Sequence, residues 1–171
     1  IVASAGIQYG QHAADLGTTW GEALLEPTRL YTAPLLRVNA RLAGGLHALS
    51  HVTGGGIAAN LARVLPQGTW VDLDRSTWAP PPVFQVLAEL GGLHLGATEG
   101  TWNLGIGFLV VVDGAKADAV VSDLAQEGLA AWRVGTVQDG PRPEGDYEQG
   151  AKGVDGGAVR LVGDYRTSAA A

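Results

Sequence analysis

The sequence predicts an α/β chain of the α+β kind, a mixed sheet covered by helices, and three observations carry that expectation. Short apolar or alternating runs, which suit strands, take turns with stripes of helical period. Glycine pairs or triplets stand at most of the junctions. Apolar residues make up 46% of the 171-residue chain and charged residues 16%, which is enough for one domain around a continuous core.

Residues 1–5 are apolar and read as a strand stopped by Gly6, and residues 7–21 as a polar loop. Leu30, Leu35, Leu36, Val38 and Leu42 give a helical stripe, entered at Glu26-Pro27 and closed by Gly44-Gly45, with Pro34 at its start or at a bend. Residues 46–52 alternate as a strand, with His47, Leu49 and His51 on one face and Leu46, Ala48 and Ser50 on the other. Gly54, Gly55 and Gly56 then lead into a helix over 57–64, with Leu61 and Val64 inward. Residues 68–74 alternate again, and Pro80-Pro81-Pro82 opens a helix that runs to Leu90 and ends at Gly91-Gly92.

The run 106–112 is continuously apolar, the pattern of a strand buried on both faces. A helix over 116–127 turns Ala117, Val120, Val121 and Leu124 inward, and residues 130–137 read as a further strand. The stretch 138–157, rich in Gly, Pro and charge, reads as a loop or linker inside the domain, residues 158–162 as the last strand, and 167–171 as a frayed tail.

Composition narrows the function. A net charge of −6 provides no extended basic surface, so non-specific nucleic-acid binding lacks its main driving force. Without cysteine there is no disulfide framework, thiolate metal site or thiol nucleophile. No run of about 18 apolar residues suggests a membrane span, and a cytoplasmic protein is the expectation. A start at Ile1, without Met and on a strand-like run, points to further sequence upstream.

The segment richest in chemistry is His51-Val52-Thr53-Gly54-Gly55-Gly56, followed by Asn60 and Arg63 on the next helix. Glycines let the backbone turn tightly and approach a ligand, and the N–H groups at the following helix start favour an anion such as phosphate. No Gly-Lys-Ser/Thr ending follows, so this is neither the nucleoside-triphosphate loop nor the dinucleotide fingerprint. A tight strand-to-helix connection without a ligand fits the spacing equally well. An imidazole at the strand's end suits a general acid, a base or a phosphate donor, or a hydrogen bond to backbone. His47 and His51 can share a face, but no third ligand has a metal-site spacing, so no metal centre is expected.

Other segments carry two readings each. Glu26-Pro27-Thr28-Arg29 can cap the following helix or bind an anion through Arg29. Asn103, Gly105 and Gly107 lead into the buried strand and permit close backbone approach, as a bulge or beside a ligand. Asp72 and Asp74 can hold a cation or stay solvated. The five tryptophans are spread along the chain and read as packing residues.

Taken in order, Leu24-Leu25-Glu26-Pro27-Thr28-Arg29, His51-Val52-Thr53-Gly54-Gly55-Gly56, Asn60-Leu61 with Arg63-Val64-Leu65-Pro66, Asp74-Arg75-Ser76-Thr77-Trp78 and Asn103-Leu104-Gly105-Ile106-Gly107 resemble the carboxy-terminal half of the aminoimidazole ribonucleotide synthetases. The resemblance covers residues 24–137. It implies a single carboxy-terminal domain over 1–171, partly ferredoxin-like, in a homodimeric enzyme whose amino-terminal domain holds most of the ATP and magnesium site. The implied reaction closes the ring of formylglycinamidine ribonucleotide in purine biosynthesis: ATP phosphorylates the amide oxygen, and the substrate's own amine displaces phosphate.

On that resemblance Thr53, Gly54, Gly55, Gly56, Asn60, Arg29, Asn103 and Gly105 form the substrate and phosphate region, with His51 as donor or proton carrier. Two departures stand out. The family's Gly-Leu-His-Ser-Asn-Gly type of block does not follow Gly6, as if a loop had been left out, and Gly100 stands where relatives carry a basic residue. An ATP-dependent relative with another small substrate, or a non-catalytic binding module of the same fold, are the alternatives.

Overall fold

The computed structural model of the chain describes residues 1–150 and 155–167. The elements run β1 (His12–Ala13), β2 (Thr18–Thr19), α1 (Trp20–Leu24), α2 (Thr32–Leu42), β3 (Leu46–His51), α3 (Gly56–Ala62), β4 (Thr69–Asp74) and α4 (Pro82–Leu90). They continue with β5 (Phe108–Val112), α5 (Ala117–Gln126), β6 (Gln138–Asp139), β7 (Glu148–Gln149) and β8 (Ala158–Val162). The mixed α+β class is the expected one, with its strands distributed over three ladders. The largest has the order β6-β4-β8-β7, in which only β4 and β8 run parallel. β3 and β5 form an antiparallel pair, irregular between Leu46 and Ala48, and β1 and β2 a minimal hairpin.

Three apolar clusters hold these pieces. Ile57, Leu61 and Ala62 of α3, Val71 and Leu73 of β4, and Val159 of β8 share the largest with Val52, Leu65, Trp78, Ile106 and Leu109. Leu35 and Val38 of α2 meet Val120 and Leu124 of α5 in the second. Val2, Ala13 and Trp20 make the third, against Val86 and Leu87 of α4. β5 explains its unbroken apolar run: Leu109 and Val111 face the first cluster, while Phe108, Val110 and Val112 face the second.

Several expectations change. Residues 1–5 form helical turns instead of a strand, with the Ala5 N–H bonded to Ile1 O at 2.9 Å and Ile7 to Val2 O at 3.2 Å. A run this short has no neighbouring strand to pair with, and only Val2 is buried. In α2 the inward residues are Leu35 and Val38, whereas Leu36 is 64% exposed and Leu30 precedes the helix. A step of 100° per residue takes Leu36 off the face that Leu35, Val38 and Leu42 share. Val64 lies beyond the end of α3 and faces out, and Leu65 takes the buried place.

Residues 130–137 join no ladder. Their tie to β4 is one bond, from the Asp74 N–H to Val134 O at 2.9 Å, while Val134 and Val137 pack on the first cluster. The stretch expected as loop or linker contributes β6 and β7, which pair with the flanks of β4 and β8. Of that stretch residues 151–154, and of the expected frayed tail residues 168–171, lie outside the described residues.

Candidate functional site

The strand β3 ends where its partner β5 begins, with His51 opposite Phe108. The alternation of β3 leaves Ser50 inward and His51 exposed, and the imidazole stacks on the Phe108 ring, centroids 5.6 Å apart and planes 16° from parallel. Tyr31, the residue before α2, completes the cluster at 6.3 Å from the His51 ring and 5.3 Å from Phe108. Its hydroxyl occupies the space a Cβ at Gly107 would need, so Gly107 has room for Tyr31 because it has no side chain. Arg29 lies on the exposed approach two residues before Tyr31, at the same end of the molecule.

After His51 the chain makes the glycine turn. Val52 is buried and its N–H bonds to Gly107 O at 2.9 Å, which sets the turn beside the loop carrying Asn103 and Gly105. Gly55 and Gly56 have φ of 106° and 73°, the region that side chains avoid. At Gly56 the constraint is tighter still: a Cβ would collide with the Glu99 carbonyl oxygen unless the backbone shifted. Thr53 and Gly54 face solvent, and no side chain caps the start of α3.

Asn60 fastens the turn. It is 3% exposed, and its Nδ2 donates to Thr53 O at 3.2 Å and Gly56 O at 2.6 Å. Its Oδ1 accepts from the Thr53 hydroxyl at 3.3 Å and from Arg63. The amide thus acts on the turn's shape from below, while Thr53, Gly54 and Gly55 present the turn to solvent. Across from it, Asn103 Oδ1 accepts the Gly105 N–H at 3.1 Å, an Asx-type closure of its own loop. Between them Leu104 is fully buried at φ 48°, a costly conformation for a side chain, with its carbonyl oxygen receiving the Trp78 indole N–H at 3.2 Å.

Behind the turn stands a group that the sequence reading missed. Glu99 receives Arg75 Nε at 2.6 Å and Nη2 at 2.8 Å as a two-pronged ion pair, and the Tyr165 hydroxyl at 2.6 Å. Arg75 also donates to Gly163 O at 3.1 Å. The bond to Glu99 raises the Arg75 guanidinium above its ordinary value, and burial, seconded by Glu99, raises the Tyr165 hydroxyl. Three residues 24 to 90 positions apart carry no local spacing signal, so sequence alone did not join them.

Other candidates are otherwise engaged. Asp72 binds Arg160 Nη2 at 2.7 Å and the Tyr147 hydroxyl at 2.7 Å, and Asp74 caps the Ser76 N–H at 2.8 Å. His47, four residues from His51 on β3, lies 2.6 Å from Asp113. Among the described residues no three His, Asp or Glu side chains gather as a metal site. An apolar groove of about 170 Å³ between α2 and β3, lined by Leu35, Leu36, Leu46, Leu49 and Phe108 with Thr32 and Asn39, has no charged group to hold a phosphate.

Fold and site together define an α+β domain that presents a glycine turn at the end of a two-stranded ladder. Residues 2–148 match the family described as AIR synthase related protein, C-terminal domain, and the chain belongs to that family. It is 40% identical over 161 residues to a Streptomyces fradiae protein named "Putative phosphoribosylformylglycinamidine cyclo-ligase", which covers 94% of this chain and 82% of that protein. It is also 41% identical over 122 residues to the phosphoribosylformylglycinamidine cyclo-ligase of Burkholderia multivorans, and 41% over 132 residues to that of Sorangium cellulosum. These matches take in 71% and 77% of this chain but 34% and 38% of those enzymes, so the chain spans about a third of their length.

Proposed function

We propose that the chain is the substrate-binding part of an ATP-dependent cyclo-ligase that converts formylglycinamidine ribonucleotide to aminoimidazole ribonucleotide. The observation that carries the reading is the turn of Thr53, Gly54, Gly55 and Gly56: Thr53 and Gly54 face solvent, while Gly56 is buried, closes the turn through its N–H to Thr53 O at 3.2 Å, and is fastened with Thr53 by Asn60. Such a turn offers backbone N–H groups to the ribose phosphate without a large cost of ordering. Arg29, on the approach beside Tyr31, adds a cation for the same phosphate. His51 is accessible one residue before the buried start of the turn, where an imidazole can carry a proton to or from the closing ring. Asn103 and Gly105, tied to the turn through the Val52 to Gly107 bond, supply its second wall.

Nucleotide and metal belong to another part of the enzyme in this reading. The described residues do not fit a magnesium centre, because Asp72 and Asp74 are bound by Arg160, Tyr147 and the Ser76 N–H. The glycine turn also lacks the lysine that a triphosphate loop places on its nucleotide. ATP and magnesium are accordingly assigned to an amino-terminal domain, with which this chain would act as a homodimer in the cytoplasm. Among the described residues no helix is long and apolar enough to cross a membrane.

The test is ATP-dependent ring closure by the complete enzyme. His51→Ala should lower kcat by about 10²-fold or more, with a smaller change in KM. Normal turnover and substrate affinity in that variant would remove His51 from the chemistry. Gly55→Ala, at φ 106°, should raise KM instead, since it strains the turn and leaves the imidazole in place.

A further inference from the structure

We propose that Arg75, Glu99 and Tyr165 are positioning residues for the glycine turn, holding its amides in the anion-binding arrangement before a ligand arrives. The inference deepens the phosphate reading and rests on it for its functional meaning. The contact that transmits the effect is backbone to backbone: the Glu99 carbonyl oxygen sits against the Cα of Gly56. Whatever fixes the Glu99 peptide therefore fixes the limit to which the turn can move.

The Glu99 side chain is locked from two sides. Arg75 follows directly after β4 and grips both carboxylate oxygens, a geometry that a single-pointed cation cannot reproduce. Tyr165 follows β8 and donates to Oε1. Arg75 is further tied to Gly163 O, so the ends of the two parallel strands converge on one carboxylate. The side chains of Arg75 and Glu99 are 21% and 15% exposed, shielded enough that water competes poorly for the pair. Trp78 packs edge-on against the Tyr165 ring at 5.2 Å and leaves that ring little freedom. Neither Arg75 nor Tyr165 bonds to the turn itself, so their influence passes through Glu99.

Amide hydrogen exchange and ¹⁵N shifts of the full chain, read with and without inorganic phosphate or ribose 5-phosphate, test the proposal. Arg75→Met should speed exchange of the Gly56 N–H by about tenfold, while the central amides of β4 and β8 keep their protection. The phosphate-induced shifts at Gly54 and Gly55 should weaken by a similar factor. Arg75→Lys, with one point of contact, should fall between. If Arg75→Met loosens β4 and β8 as well, Tyr165→Phe decides, because it removes one hydroxyl and keeps the ring; about threefold faster exchange at Gly56 alone is expected. Unchanged exchange at Gly56 in Tyr165→Phe and in folded Arg75→Met overturns the proposal. A wild-type chain that responds to neither phosphate compound would instead defeat the phosphate reading, and exchange at Gly56 would still decide the positioning role.

Discussion

The ladder of β4 and β8 and the ladder of β3 and β5 are built from similar strands but held in different ways. Around β4 and β8 burial goes deepest, with Val71, Leu73 and Val159 at most 2% exposed under α3, and the Asp72–Arg160 pair ties the two strands as well. Around β3 and β5 the covering helices α2 and α5 share four buried residues, and their outer seam is closed by charge. Arg37 and Arg41 grip Glu127, with Arg41 also on Asp123. The glycine turn joins the two, starting at the end of β3 and leading into α3 on the better-buried side. The site proposed at this seam would take its rigidity from one half and its accessible imidazole from the other.

The largest effect should come from the buried half. Leu73→Ala is expected to cost about 3–4 kcal/mol and Leu35→Ala about 2–3 kcal/mol, measured by urea unfolding. A Leu35 cost equal to or above that of Leu73 would break the contrast between the halves. Next comes the seam: Gly56→Ala should cost about 2–3 kcal/mol, because the added Cβ meets the Glu99 carbonyl in backbone that already disfavours it. Gly54→Ala meets nothing and should stay within about 0.5 kcal/mol.

Acid sharpens the comparison further. The hydrogen bond from Arg160, helped by the Tyr147 hydroxyl and opposed by partial burial, holds the Asp72 carboxyl below its ordinary value. Its folded value is thus lower than its unfolded one, near 3.9 by the usual reference, about which the unfolded chain takes up the proton first. The contribution is fully present above that pH and is lost as pH falls through the folded value. Asp72→Asn should flatten that acid limb in a series of melts and leave the trend above about pH 5 unchanged. A small effect belongs to the α2–α5 seam, whose arginines are exposed: Glu127→Gln should lower Tm less than any core change, and the difference should shrink at about 1 M salt. An undiminished difference would mean that the α2–α5 seam acts as part of the core.

Period and punctuation made much of this legible in advance. β4, α4 and the run into β5 lie where alternation, Pro80-Pro81-Pro82 and the apolar stretch 106–112 put them, because each is decided by local spacing or by how many faces are buried. The ordered motifs also led to the family to which the chain belongs. The errors in strand placement share one cause. Residues 1–5 and 130–137 have strand composition, but a strand needs a partner at hydrogen-bonding distance, and composition does not say whether one is there. In the opposite sense β6 and β7, inside a stretch that reads as a loop, became strands because β4 and β8 offered them edges.

At the site the division is similar. The residues of the glycine turn, and the imidazole before it, were determined by the sequence of thirteen positions from His51 to Arg63, where near neighbours dictate the backbone. That Tyr31 covers Gly107, and that Arg75 and Tyr165 converge on Glu99 behind Gly56, were decided only by the tertiary structure. A hydrogen bond or a backbone collision depends on distance in space, and residues 66 or 90 positions apart acquire that distance only when the sheets are assembled.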